Sequence, residues 1–123
     1  MTKKVLSLGQ CGADHASISA LLEDHFGAEV VAARTYEDAL AKLRQGGFAL
    51  VLVNRVLDYN GRPGLDFIDL VRTDDGLKGM PVMLVSNHAD AQQEAVARGA
   101  RSGFGKSALR QPETLGRLRE VLE

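Results

Sequence analysis

The apolar run at residues 48–53, Phe-Ala-Leu-Val-Leu-Val, limits the folds open to this chain more than any other stretch. A strand with one wet face alternates apolar and polar residues. A run apolar on both faces needs cover on both, as in the central strand of a parallel sheet between two helical layers. The rest of the chain supplies those layers, because short apolar runs alternate with amphipathic stretches, and Gly, Pro, Asp or Asn stands at the joints.

Residues 5–8 read as a first strand. A helix follows with Ile18, Leu21, Leu22 and Phe26 on its apolar face, Asp14 as its expected N-cap and Gly27 as its end. Residues 30–33 read as a second strand. Thr35, with Asp38 three positions on, has the pattern of a capping box opening a helix that turns Ala39, Leu40 and Leu43 inward. Gly46 and Gly47 stop it before the 48–53 strand. Beyond a polar loop, Leu65, Ile68 and Val71 recur at helical spacing, and residues 74–81 return the chain to a fourth strand at 82–85. A helix over about 90–98 ends at Gly99. A weak fifth strand lies near 102–104. A last helix carries Pro112 in its first turn and Leu115, Leu118 and Leu122 on one face. Five βα units with right-handed crossovers predict a doubly wound three-layer α/β sandwich with a five-stranded parallel sheet.

The chain has 123 residues, the size of one compact domain, and a single unit over 1–123 is expected. The formal net charge is -1 with 25% charged residues. That balance provides no general attraction to nucleic acid or to an anionic membrane, and aromatics at 5% leave few stacking platforms for single strands. Cys11 has no partner for an internal disulfide, and no apolar leader or spanning run is present, so a cytoplasmic protein is expected. In doubly wound sheets, ligands sit beyond the carboxyl ends of the strands, here residues 9–14, 54–64, 86–90 and 105–107.

The strand ends laid out in this order resemble those of the receiver domains of two-component response regulators, over essentially the whole chain. Ala49 to Asn54 resembles the segment that leads to the family's phosphoacceptor aspartate, and Gly64-Leu65 the opening of the following helix. Residues 81–86 resemble the fourth strand with its terminal hydroxyl, on Ser86. Gly99-Ala100 followed by Lys106 resembles the Gly-Ala pair and the lysine after the fifth strand. The resemblance implies a flavodoxin-like (βα)5 fold and a role in signal transduction through a protein partner, whether a histidine kinase, an output protein or another receiver, with a homodimer also open. By family analogy, the docking face would be the fourth and fifth helices with the fifth strand.

The departures fall on the chemistry. Gly9 and Gln10 stand where the family places two acidic residues to hold magnesium, and Asn54 stands at the acceptor position. Ser107 replaces the proline after the lysine, Asn87 replaces a small residue, and Gly103 matches the switch aromatic, with Phe104 beside it. Magnesium favours carboxylate oxygens and dehydrates reluctantly. An amide lacks the charge and nucleophilicity that phosphoryl transfer requires. The remnant positions Gly9, Gln10, Asn54, Ser86 and Lys106 are therefore expected to hold no cofactor and to catalyse nothing. Lys106 is expected to reach a carbonyl, to pair with Asp58 or to stay solvated.

Residues 9–15 also gather Cys11, Asp14 and His15 near His88, which suggests an alternative: a transition-metal or thiol-sensing site built from these four, with Asp58 nearby. Against it, Asp14 suits a cap, His15 an exposed first turn, Cys11 a small buried apolar residue and His88 a loop. A nucleotide cradle over 9–12 lacks a third glycine and a phosphate-binding lysine, and Asp14 would repel phosphate. Cys11 as an enzyme nucleophile with His15 lacks a clear orienting group. Asn60-Gly61 is a turn signal, and Arg98, Arg101 and Arg110 read as a solvated basic scatter.

Overall fold

The computed structural model describes residues 2–123. The elements follow in the order β1 (Lys4–Leu8), α1 (Gly12–Phe26), β2 (Glu29–Ala33), α2 (Tyr36–Arg44), β3 (Phe48–Asn54), α3 (Gly64–Thr73), β4 (Val82–Val85), α4 (Ala89–Ala97), β5 (Arg101–Phe104) and α5 (Pro112–Leu122). A short 3-10 turn over Lys106–Ala108 precedes α5. The strands form one sheet in the order β2-β1-β3-β4-β5, and every pairing is parallel. This is the flavodoxin-like arrangement expected from the sequence.

The two periodicities of β3 explain why its sequence is apolar throughout. Leu50 and Leu52 point into a cluster with Ile18, Leu21 and Leu22 of α1 and Leu118 and Leu122 of α5. Val51 and Val53 point the other way, against Ala39 and Leu43 of α2, Phe67, Ile68 and Val71 of α3 and Ala95 of α4. Each of residues 50–53 has no exposed surface, which is worth about 1.5–3 kcal/mol per side chain relative to exposure. The sheet order reverses at β1 and β3, so the loops after these two strands diverge to opposite faces and leave a crevice between them.

Local signals are obeyed where backbone groups need them. The Asp38 N–H donates to Thr35 Oγ1 at 3.1 Å, as the capping pattern predicts. Gly27 adopts a left-handed φ of 60° and its N–H closes α1 onto Leu22 and Glu23. The expected cap of α1 is corrected: Cys11 is the N-cap, without a side-chain cap bond, and Asp14 lies in the first turn. That frees the Asp14 carboxylate for a tertiary partner. Among the described residues, no helix is long and apolar enough to cross a membrane.

Candidate functional site

Gly9, just beyond β1, has φ +79°, and a Cβ built there would lie 2.6 Å from Leu57 Cγ and 3.0 Å from Leu57 Cα. Both the backbone conformation and the space exclude an acidic side chain at this position. The Gly9 carbonyl accepts from the Asp58 N–H at 2.9 Å and from Asn54 Nδ2 at 3.2 Å. Asn54 Nδ2 also donates to the Val56 carbonyl at 2.8 Å. A single amide nitrogen thus ties the end of β3 to the end of β1. A carboxylate has no hydrogen to offer these two carbonyls, so Asn54 fits this place as a donor where an aspartate would meet two oxygen lone pairs. Gly64 is required beside it, since a Cβ there would stand 2.0 Å from the Asn54 carbonyl oxygen.

Lys106 meets Asp14, with Nζ 2.6 Å from Oδ2, which corrects the expected choice among a carbonyl, Asp58 and solvent. The hydrogen bond from Lys106 holds the Asp14 carboxyl below the usual carboxylate range; partial burial opposes this and the Cys11 thiol adds to it. Ser86 is buried, its Oγ accepts from the His88 N–H at 3.0 Å, and its own N–H donates to the Phe104 carbonyl at 2.9 Å. Asn87 Oδ1 accepts from both the N–H and the hydroxyl of Ser107, at 3.2 and 3.0 Å. The loops after β1, β3, β4 and β5 are therefore stitched in pairs by Asn54, Lys106 and Asn87. Neither atom of the Gln10 side-chain amide, though buried, has a hydrogen-bond partner among the described residues.

Between these loops lies a cavity of about 220 Å³ whose lining includes Asn54, Arg55, Ser86, Asn87, His88 and Lys106. No carboxylate lines it, and the nearby Asp14 is committed to Lys106. Magnesium does not fit this donor set, because every side-chain oxygen in the lining belongs to a neutral group and none to a carboxylate.

The residues of the alternative metal site are not brought together. Among the described residues, no group of three or more His, Cys, Asp and Glu is placed to hold a metal ion. Asp14 serves Lys106, His15 Nε2 faces Ser19 Oγ on its own helix at 3.4 Å, and His88 is exposed beyond β4. Cys11 and His15 are both half-buried, one less and the other more enclosed than their residue types suggested.

Gln92 is the residue that sequence reasoning missed. Between β4 and β5 the register shifts, so that Met83 pairs with Arg101 but Val85 with Phe104. The extra residue in β5 interrupts the ladder. Gln92 repairs it: Nε2 donates to the carbonyls of Leu84 at 2.9 Å and Ser86 at 3.1 Å, and Oε1 accepts from the Gly103 N–H at 3.1 Å. A Cβ at Gly103 would stand 2.1 Å from the Leu84 oxygen, so the place matched to the family's switch aromatic admits no side chain. Glutamine on a helix carries no sequence signal for this role, which arises from a bulge in another element.

The chain is 32% identical over 87 residues to the chemotaxis protein CheY-3 of Vibrio cholerae serotype O1, an alignment covering 69% of this chain and 62% of that protein, so under two thirds of the relative's length is matched. Among solved structures it is similar to the chemotaxis response regulator CheY4 of Vibrio cholerae, with 26% identity, a TM-score of 0.75, 99% of this chain covered and 100% of the other. The chain has the fold and sequence likeness of a response-regulator receiver domain. A response regulator from Thermotoga maritima superposes on this chain with a TM-score of 0.79 at 22% identity, covering 99% of this chain and 98% of the other. The beryllofluoride-activated NtrC4 receiver domain, a dimer, does so at 0.76 and 22% identity, covering 98% and 99%. No family model matches the chain.

Proposed function

We propose that this receiver acts in two-component signalling without being phosphorylated, as a cytoplasmic, non-enzymatic module that docks a signalling protein in one fixed conformation. The observation that carries this reading is the placement of Asn54. Its amide nitrogen faces two backbone carbonyls at 2.8 and 3.2 Å, which a carboxylate nucleophile could not satisfy, and no acid lines the adjoining cavity. Transfer of a phosphoryl group needs an attacking oxygen anion and a metal to neutralise the phosphate oxygens, and these side chains supply neither. The contacts of Asn54, Asn87 and Lys106, each between two of the loops, and of Gln92 between β4 and β5 support a single conformation.

The docking face we assign is formed by α4, β5 and α5. Val96 of α4 is 46% exposed beside a groove shared with Ser102 and Arg117, and a mixed apolar and basic patch of this kind suits a protein partner. Two measurements test the reading. Incubation with acetyl phosphate and magnesium, followed by intact mass, should show no gain of a phosphoryl group; a stoichiometric phosphoprotein refutes it. Partner capture from the source cell should be lost in Val96→Asp, and unchanged capture would remove the assigned face.

A further inference from the structure

A separate groove of about 470 Å³ lies between the β3–α3 loop and α4, and its lining includes Val56, Pro63, Leu65, Asp90, Ala91 and Glu94. Four of these side chains are apolar, and Val56 is 41% exposed, one of few large apolar side chains left uncovered. The charge around the groove is negative. Asp66 and Asp69 of α3 and Glu94 of α4 share one counter-ion, the Arg98 guanidinium, at 3.0–3.1 Å. Each of the three carboxylate side chains stays more than half exposed and spends one oxygen on Arg98, so each keeps an oxygen for another donor. Asp90 forms no ion pair among the described residues, and its Oδ1 accepts from the Ala91 N–H at 3.0 Å. Against these four carboxylates stand Arg98 and Arg55, which also lines the groove, an excess of two negative charges. Because Arg98 ties α3 to α4, the acids are fixed in place before anything binds, which lowers the ordering cost of binding.

We propose that this groove is a second docking surface, for a segment of a protein partner that carries an apolar side chain flanked by Lys or Arg. The apolar side chain covers Val56 and Leu65, and the unused carboxylate oxygens take the flanking cations, so the sign of charge selects the partner. Asp90 and Glu94 share one flank of α4, whereas the face assigned above uses Val96 on the other. The chemistry of the two is opposite as well, since Arg117 lines the first groove and carboxylates line this one. Two partners of unlike charge thus have separate places on one chain.

A random-peptide display library, panned on the full chain and counter-panned on the chain carrying both Asp90→Lys and Glu94→Lys, tests the proposal. The clones bound by the native chain alone should carry Leu, Ile, Val or Met between Lys or Arg residues and few acids. A synthetic peptide of the leading clone then gives dissociation constants by fluorescence anisotropy. The double charge reversal should weaken binding about tenfold or more. Val56→Ser should weaken it about three- to fivefold, as expected for covering the exposed part of one valine. Affinity should also fall as salt rises from about 0.05 to 0.3 M. Val96→Asp should leave the affinity unchanged, so the outcome here is separate from that of the face assigned above. Melting curves check that each variant folds, and Val56→Ser, at an exposed side chain, provides the test should the double reversal unfold the chain. Clones that all survive counter-panning, selected sequences that are acidic or lack basic residues, or an affinity indifferent to Val56→Ser would overturn the proposal. Self-association of the native chain in sedimentation, abolished by the same charge reversal, would assign the groove to a second copy and overturn it too.

Discussion

Replacing Gln92 by leucine keeps the volume of the side chain and removes its amide. The native amide donates at 2.9 and 3.1 Å to two carbonyls and accepts at 3.1 Å from the Gly103 N–H. A further contact to the Phe104 carbonyl, at 3.4 Å, is too long to count for much. Each neutral hydrogen bond contributes a net 0.5–1.5 kcal/mol or so, and a buried N–H left without a partner costs about 1–3 kcal/mol. Gly103 is buried, as are Leu84 and Ser86, which carry the two carbonyls, so the loss should be about 2–3 kcal/mol. With a urea m-value of about 1.5 kcal/mol/M for a domain of this size, the denaturation midpoint should fall by roughly 1.3–2 M without a change in slope. Gln93→Leu, on the exposed side of the same helix, controls for the added apolar surface. A midpoint shift below about 0.3 M, or one no larger than the control's, would refute the view that Gln92 replaces the interrupted ladder.

Asn54→Asp, which restores the family's residue type, should destabilise the fold by about 1–3 kcal/mol by turning two donated bonds into oxygen–oxygen contacts, and it should still take up no phosphoryl group from acetyl phosphate; a gain in stability by denaturation would show that the two carbonyl contacts are not what selects the amide. Gly9→Asp should cost about 2 kcal/mol or more through its positive φ and the contact with Leu57, and a neutral result in the same assay would contradict the packing described. Because Lys106 lowers the carboxyl pKa of Asp14 in the folded state, the unfolded chain takes up a proton at higher pH than the folded one. The contribution of this pair is then complete above the ordinary carboxylate range and disappears as pH falls through the folded value. The stability gap between the native chain and Asp14→Asn should accordingly be small, about 0–1 kcal/mol, and should close on acidification; a gap that stays constant through that range would argue against the pair.

The order of elements and the loops that form the site follow from local pattern. The run at 48–53 demanded two covering layers, Thr35 and Gly27 marked helix ends through their own backbone needs, and Gly9, Gln10 and Asn54 stand where the family that the chain resembles has acids. Hydrogen-bond and charge partners distant in the chain were not legible. Asp14 looked like a cap because sequence shows the first turn of a helix but not the lysine that comes back to it from beyond β5, and Gln92 carried no signal because the bulge it repairs lies in β5.

Capping and backbone preferences act over a few residues, so the amino-acid sequence by itself determined the strands, the helices and the lack of acidic residues at positions 9, 10 and 54. Which donor met which acceptor depended on the register of β4 against β5 and on the convergence of four loops, and only the folded sheet sets these. The same convergence assembled Arg55, His88 and Lys106 around one cavity, because residues far apart in the chain come within interaction range only once parallel strands bring their carboxyl ends to one edge.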